Sequence, residues 1–315
     1  MSGRRLKVLL TGASGFIGRG LVPELVAAGH TVRAALRSFA PLPEGVEGAV
    51  IGDLRRPVNL SQALRDIDVV IHSAGLAHAE PGLPEADYRD INATTTRALA
   101  DAARQAGARR FILMSSVRAQ VGPSADAPVT ESQPATPTDA YGRSKLEAEQ
   151  LLADAAIESV VLRPVVVHGP GMRFNMAALY DFARRSGPAP FGALAARRSV
   201  LAREHLADAV VLALESDAMA GRTFLVADPE PLTVGEMVAA FRAGLGRRPG
   251  LLPVPRSVVR LAARATGRAA EFDRIDSNLV VDPSRLVQAG WRPRRSAREA
   301  LAATARAIAA EAGPR

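Results

Sequence analysis

The chain has 315 residues, of which 48% are hydrophobic and 23% charged, a length and composition for one large globular domain or two closely joined ones and not for a disordered segment. It has no cysteine, which excludes disulfides and thiolate metal sites, and no run of 18 apolar residues, so no transmembrane helix is expected. The net charge of +8 comes from scattered arginines with only 4% aromatics between them, which argues against nucleic acid as a partner but would still attract an anionic substrate such as a nucleotide diphosphate.

The N-terminus, Met1-Ser2-Gly3-Arg4-Arg5, lacks a signal-peptide pattern, and a cytoplasmic enzyme is expected. Residues 6–10 read as a buried strand. Thr11-Gly12-Ala13-Ser14-Gly15-Phe16-Ile17-Gly18 follows, then a helix to about Ala28 that Gly29 stops, then a strand over 31–36. Strand, glycine turn, helix and strand make a βαβ unit whose glycines let the backbone approach a pyrophosphate at the helix N-terminus. Pro23 inside the helix is a local conflict, because it removes a backbone donor. Further strands are read over 49–54, 68–75 and 110–116, with a helix over 92–106. Alternating strands and helices predict an α/β fold with a doubly wound parallel sheet, and ligands there bind at the carboxyl ends of the strands. Gly12, Asp53, Ala74 and Ser116 fall at such ends.

A site for NAD places an acid at the end of the second strand, to hold the ribose 2′-hydroxyl. No acid occurs from Thr31 to Pro43; Arg33 and Arg37 stand there, and a guanidinium suits a 2′-phosphate. NADP(H) is therefore the preferred cofactor, with NAD(H) possible. The chain has only two lysines, Lys7 and Lys145, and Lys145 follows Tyr141 by four residues. On a helix the two share a face. An ammonium there lowers the phenol pKa toward neutrality and makes it a usable proton carrier, which an arginine does poorly.

With the glycine loop, Ser115-Ser116 at a strand end and Tyr141-x-x-x-Lys145 in order, the chain resembles the extended short-chain dehydrogenase/reductases. More narrowly it resembles the NAD-dependent epimerase/dehydratase group that acts on nucleotide sugars. Residues 162–171, with His168 where tyrosine is common, match that group's strand after the catalytic helix. Arg197-Arg198-Ser199 and the segment from Asp282 to Trp291, with Arg285 in a lysine position, match later signatures. Pro190-Phe191-Gly192 followed by Arg197-Arg198-Ser199 looks most like 4-epimerases and 4-keto-reductases of UDP-linked N-acetylated hexoses, in bacterial surface-polysaccharide synthesis.

The resemblance implies a Rossmann-like domain over 1–165. A smaller, mostly helical substrate-binding part would span 166–315, with some chain returning to the main sheet. It implies a catalytic set of Ser116, Tyr141 and Lys145, with Ser115 as the rival serine. Cofactor contacts would come from Gly12, Ser14, Gly15, Phe16, Ile17, Gly18, Arg37, Asp53, Leu54, Ser73, Ala74, Gly75, Tyr141, Lys145, Pro164 and Val165. Substrate contacts would come from Ser116, Asn175 and Arg198, with Arg274 the weakest candidate. Helices near 95–106 and 143–155 would form a homodimer. Val117-Arg118 stands where a dehydratase needs an acid/base pair, so dehydration is disfavoured; Glu131 and Asp139 lie in the proline-rich loop before Tyr141. No metal is expected. His72 reads as structural, and His78 as a loop residue that could lie near the substrate. The favoured reaction is NADPH-dependent reduction of a 4-keto nucleotide sugar. The alternatives are a UDP-sugar 4-epimerase with retained NAD and a non-catalytic redox sensor.

Overall fold

The computed structural model describes residues 5–76 and 83–311; His78 lies outside the described residues. The first half comprises β1 (Lys7–Thr11), α1 (Phe16–Ala27), β2 (Thr31–Leu36), β3 (Glu47–Val50), α2 (Leu60–Ala63), β4 (Val69–His72) and α3 (Glu85–Tyr88). A π-helical turn, Arg89–Thr94, leads into α4 (Thr95–Gln105), followed by β5 (Arg110–Met114), α5 (Val117–Gln120), α6 (Ala140–Ala153) and β6 (Glu158–Pro164). Next come β7 (Val166–His168), α7 (Phe174–Ala183), β8 (Arg197–Arg198), β9 (Val200–Ala202), α8 (Arg203–Glu215) and β10 (Arg222–Val226). The chain ends with β11 (Leu232–Thr233), α9 (Val234–Gly244), α10 (Arg256–Ala265), α11 (Ala269–Ile275), α12 (Ser284–Gln288) and α13 (Ala297–Glu311).

The main sheet has the order β10-β6-β5-β4-β1-β2-β3, and every ladder in it is parallel. This is the doubly wound, Rossmann-like sheet that the sequence predicts. Side-chain alternation sorts the central strands between two layers. Val8, Leu10, Val69, Ile71 and Ile112 face the core shared with α1 and α8, whereas Leu9, Val70, Phe111 and Leu113 face the core shared with α4 and α6. A third apolar cluster joins α7, α9 and α13 in the second half. The strand order reverses between β1 and β4, and that switch point opens a crevice at their carboxyl ends.

Two local conflicts resolve simply. Pro23 stays inside α1 because it is on the exposed side, while Leu21, Val22 and Leu25 bury the other side. The third strand is shorter than read and ends at Val50, so Asp53 lies in the turn beyond it. The terminal signature is structural: Trp291 is 1% exposed and its indole N–H donates to the His205 carbonyl at 3.0 Å, pinning the start of α8.

A buried polar network ties α6 to the sheet. Arg163 on β6 donates to Glu149 on α6 at 2.9 Å and also to Gln120 at the end of α5. Ser115 donates to the same carboxylate. Arg163 and Glu149 are 7% and 9% exposed. Removing one member of such a pair strands the other charge, so Glu149→Ala should cost about 3–5 kcal/mol in chemical denaturation. Replacing both by apolar residues should recover most of that loss. A single variant as stable as the wild type would contradict this role.

Candidate active site

The glycine loop is shaped by contact. Gly12 has φ +75°, and a Cβ on it would lie 2.8 Å from the Ala74 nitrogen; one on Gly18 would lie 2.1 Å from the Gly12 carbonyl oxygen. The ends of β1 and β4 therefore meet closely, and α1 can start directly against the loop. Gly15 caps α1 without a side-chain hydrogen bond, and its first turn carries no acid, so the helix presents its N–H groups and partial positive charge to an anion. Ser14 and Gly15 are exposed there, and Phe16 and Ile17 partly so. Across the crevice the Thr11 hydroxyl lies 2.7 Å from His72 Nδ1 and accepts from the Ala74 N–H at 3.2 Å, which sets the Ser73-Ala74-Gly75 segment. Burial, and then the Lys145 charge, hold His72 down to about 3, so it is neutral and structural.

The two arginines at β2 separate in the structure. Arg33 is not available to a cofactor. It donates to Glu47 at 2.9 Å and to the carbonyls of Ala63 and Arg65, because its mid-strand position places it over β3 and the end of α2. Arg37, past the strand end, is exposed and close enough to lower the Asp53 carboxyl, whose main partner is Arg55 at 2.6 Å. Leu54 is partly buried beside it, and Pro164 and Val165 are buried at the end of β6.

Asp139 caps α6 by accepting from the Gly142 N–H at 2.7 Å and pairs with Arg118. A Cβ on Gly142 would lie 2.3 Å from the Arg118 carbonyl, so α6 packs directly against the α5 turn and sets Tyr141 beside Ser116. Ser116 caps α5, accepting from the Arg118 N–H at 3.1 Å, and its hydroxyl stands near enough to the Tyr141 phenol to pull its pKa down. Ser115 is consumed by Glu149, which leaves Ser116 as the serine next to the phenol.

Lys145 corrects an expectation. Its Nζ does not lower the Tyr141 pKa; it donates to the Met114 carbonyl at 3.0 Å, at the end of β5. Burial pushes the phenol up, and the Ser116 hydroxyl pulls the other way. Burial also lowers Lys145 to about 8. The ammonium stands over Gly75, where a Cβ would lie 3.4 Å from Nζ and 2.6 Å from Asn92 Oδ1. Asn92 went unnoticed in the sequence. It is 1% exposed, accepts from the Leu76 N–H at 2.9 Å and donates to Ser144 at 3.0 Å, joining the Gly75 segment to α6. Its signal was a lone asparagine among β-branched residues in a helical stretch.

On the substrate side, Arg198 donates to the carbonyls of Arg274, Ser277 and Pro123. Burial, and then Arg118, lower it to about 10. It is partly buried and forms no ion pair among the described residues. Arg274 takes part through its backbone carbonyl; its guanidinium folds back to the Ala270 carbonyl at 3.3 Å. Asn175 is exposed at the start of α7. Arg203, also unforeseen, lies 5.3 Å from the Phe16 ring centre and donates to the Phe16 and Pro170 carbonyls, bracing the glycine loop.

A family model described as the NAD dependent epimerase/dehydratase family matches residues 8–227. The chain belongs to this epimerase/dehydratase family. It is an enzyme of short-chain dehydrogenase/reductase type, and the glycine cradle, uncapped α1 and Lys145 over Gly75 fit a nicotinamide dinucleotide. It is 32% identical to a UDP-glucose 4-epimerase of Vibrio cholerae, over 96% of this chain and 95% of that one. It is 31% identical to a 3-diazoavenalumate denitrifying reductase of a Streptomyces species, over 91% and 96%. Among solved structures, MoeE5 in complex with UDP-glucose and NAD aligns with TM-score 0.75 and 27% identity, covering 97% of this chain and 99% of that one. The family member described here has no group of three metal-ligating side chains among the described residues, and no helix among them is long and apolar enough to cross a membrane.

The buried Lys145 makes a stability prediction. Its folded pKa of about 8 lies below its ordinary 10.5, so between those values the unfolded state binds more protons and stability rises with pH. A Lys145→Met variant should therefore be more stable than the wild type at neutral pH, with the gap closing through that window. Denaturation midpoints across the window measure it; a gap constant with pH would refute it.

Proposed function

We propose that this enzyme interconverts a hydroxyl and a carbonyl at C4 of a nucleotide-linked sugar, working as an NADPH-dependent reductase of a 4-keto sugar. The observation that carries the reading is Ser116 set beside the Tyr141 phenol just past the end of β5, with the Lys145 ammonium at the same strand end over Gly75. The nicotinamide, when bound, supplies the hydride. Tyr141 gives its proton to the C4 oxygen; a phenol held above its usual value stays protonated at neutral pH, the form that reduction needs. Ser116 donates to the same oxygen and orients it. Lys145 would hold the ribose hydroxyls of the bound nucleotide.

The partly buried Arg198, without an acidic partner among the described residues, supports a diphosphate-linked substrate, and Asn175 would contact the same group. A UDP-linked sugar is favoured by the ligand of MoeE5. Arg37, free of the ties that hold Arg33, supports the 2′-phosphate of NADP(H). The same reading takes the protein as a cytoplasmic homodimer, assembled through α4 and α6, that serves surface-polysaccharide synthesis. A second reading, C4 epimerisation with retained NAD, is favoured by the Vibrio cholerae relative and by NAD in the MoeE5 structure.

Tyr141→Phe should keep NADPH binding and lose about 10²–10⁴-fold in kcat with a 4-keto UDP-hexose. Near-normal turnover would remove Tyr141 from the mechanism. Arg37→Glu should weaken NADPH at least about tenfold relative to NADH in fluorescence titrations. Wild-type protein that prefers NADH, or that purifies with stoichiometric NAD⁺, would shift the reading to the epimerase.

A further inference from the structure

A helix at the edge of the second half is apolar on both sides. Val259 and Ala263 of α10 pack inward with Phe272. The opposite side of the helix carries Val258, Leu261, Ala262 and Ala265, spaced i, i+3, i+4 and i+7, all exposed. Leu261 is 67% exposed and Val258 52%; Leu252, just upstream, is 46% exposed. Large side chains in such a group have no place on a surface that meets only water.

The charge around this face that is left unpaired among the described residues is positive. Arg256 and Arg260 are neutralised by Asp276, just past α11, and by Asp273 on it, and the two pairs tie α10 to α11. Arg264 and Arg268 are exposed in and after its last turn and form no ion pair among the described residues. Upstream, the segment into Leu252 leaves a cavity of about 380 Å³ lined by Arg185, Arg242, Arg247 and Arg248, with no acidic residue in its lining. Arg242 is 3% exposed; its Nη atoms reach the carbonyls of Pro249, Gly250 and Gly187, and its Nε, itself buried, has no partner. A wall that gathers four arginines with no acid in its lining is completed by an anion.

We infer that Leu252, Val258 and Leu261 insert into the interface of an anionic phospholipid bilayer, with the arginine-lined cavity and the end of α10 taking lipid phosphates. Insertion of a few apolar side chains and attraction of arginines to anionic lipid are each weak alone, and together they give reversible peripheral binding. A soluble anion would explain the cavity but not the apolar face. A second copy of the chain would bring its own arginines against these. This inference is independent of the sugar reaction.

The test is co-sedimentation of the full chain with phosphatidylcholine vesicles, with and without phosphatidylglycerol. The wild type should partition to the phosphatidylglycerol vesicles and release with added salt. The combined variant Leu252→Ser, Val258→Ser and Leu261→Ser should lose at least about tenfold in partitioning while keeping its melting temperature and NADPH binding. Arg247→Glu with Arg248→Glu should lose a similar amount. Partitioning no better than to phosphatidylcholine alone would overturn the inference, and so would an apolar variant that binds like the wild type. It would also fall if inorganic phosphate abolished binding that the apolar variant retains. A lipid-free oligomer that the apolar variant dissociates would likewise assign the face to a second copy.

Discussion

The buried pair of Glu149 and Arg163 determines where one face of α6 stands against the sheet. Tyr141, Lys145 and Glu149 follow one another at four-residue spacing along that face. Glu149 anchors the row to β6 and occupies Ser115. Gly142 removes the side chain that would hold the other end of the helix away from the α5 turn. With both ends constrained, Lys145 has little choice but the end of β5, and Tyr141 little choice but Ser116. The row of the proposed reaction is thus held by residues that take no part in it, which is how a site keeps sub-ångström geometry.

Arginine and lysine divide the work in this chain by their physics. The guanidinium is a fork of donors that cannot lose its charge, and the fold uses it as a carbonyl clamp. Arg33, Arg198, Arg203 and Arg242 each satisfy backbone oxygens at places where loops meet. An ammonium is a compact charge whose proton affinity responds to its surroundings. Lys145 is the buried one, and burial brings it near neutrality. An arginine in its place would not fit the space over Gly75 as a single point and would not titrate.

Much of the fold was legible because its signals are local. The apolar strands, the glycine loop and the Tyr141–Lys145 spacing each belong to one short stretch, and the parallel order follows from their alternation. The site was legible only where local pattern fixed position. Nothing near Arg33 announces that Glu47 and two carbonyls across β3 will occupy it, and nothing near Arg37 announces that they will not. Asn92 gains its place from a π-helical turn, a backbone irregularity without a reliable residue code. The direction of the Tyr141 shift was misread for a related reason. Helical spacing brings Lys145 onto the same face, but only tertiary packing decides that its tip turns to Met114 while burial dominates the phenol.

The position of β10 has a consequence for how the chain acquires its structure. This strand is drawn from residues 222–226 yet lies at the outer edge of the main sheet against β6, and α8 just before it packs in the same core as α1. A nascent chain that has left the ribosome only as far as β6 therefore exposes an unpaired edge and a face of its sheet that α1 alone covers. Both are fully covered only after a long excursion through β7 to α8. Contacts of such sequence separation slow folding and lengthen the exposure of sticky intermediates. A truncated or stalled product ending before this strand is the form most open to aggregation, so the latter part of the chain serves as the chaperone of the first.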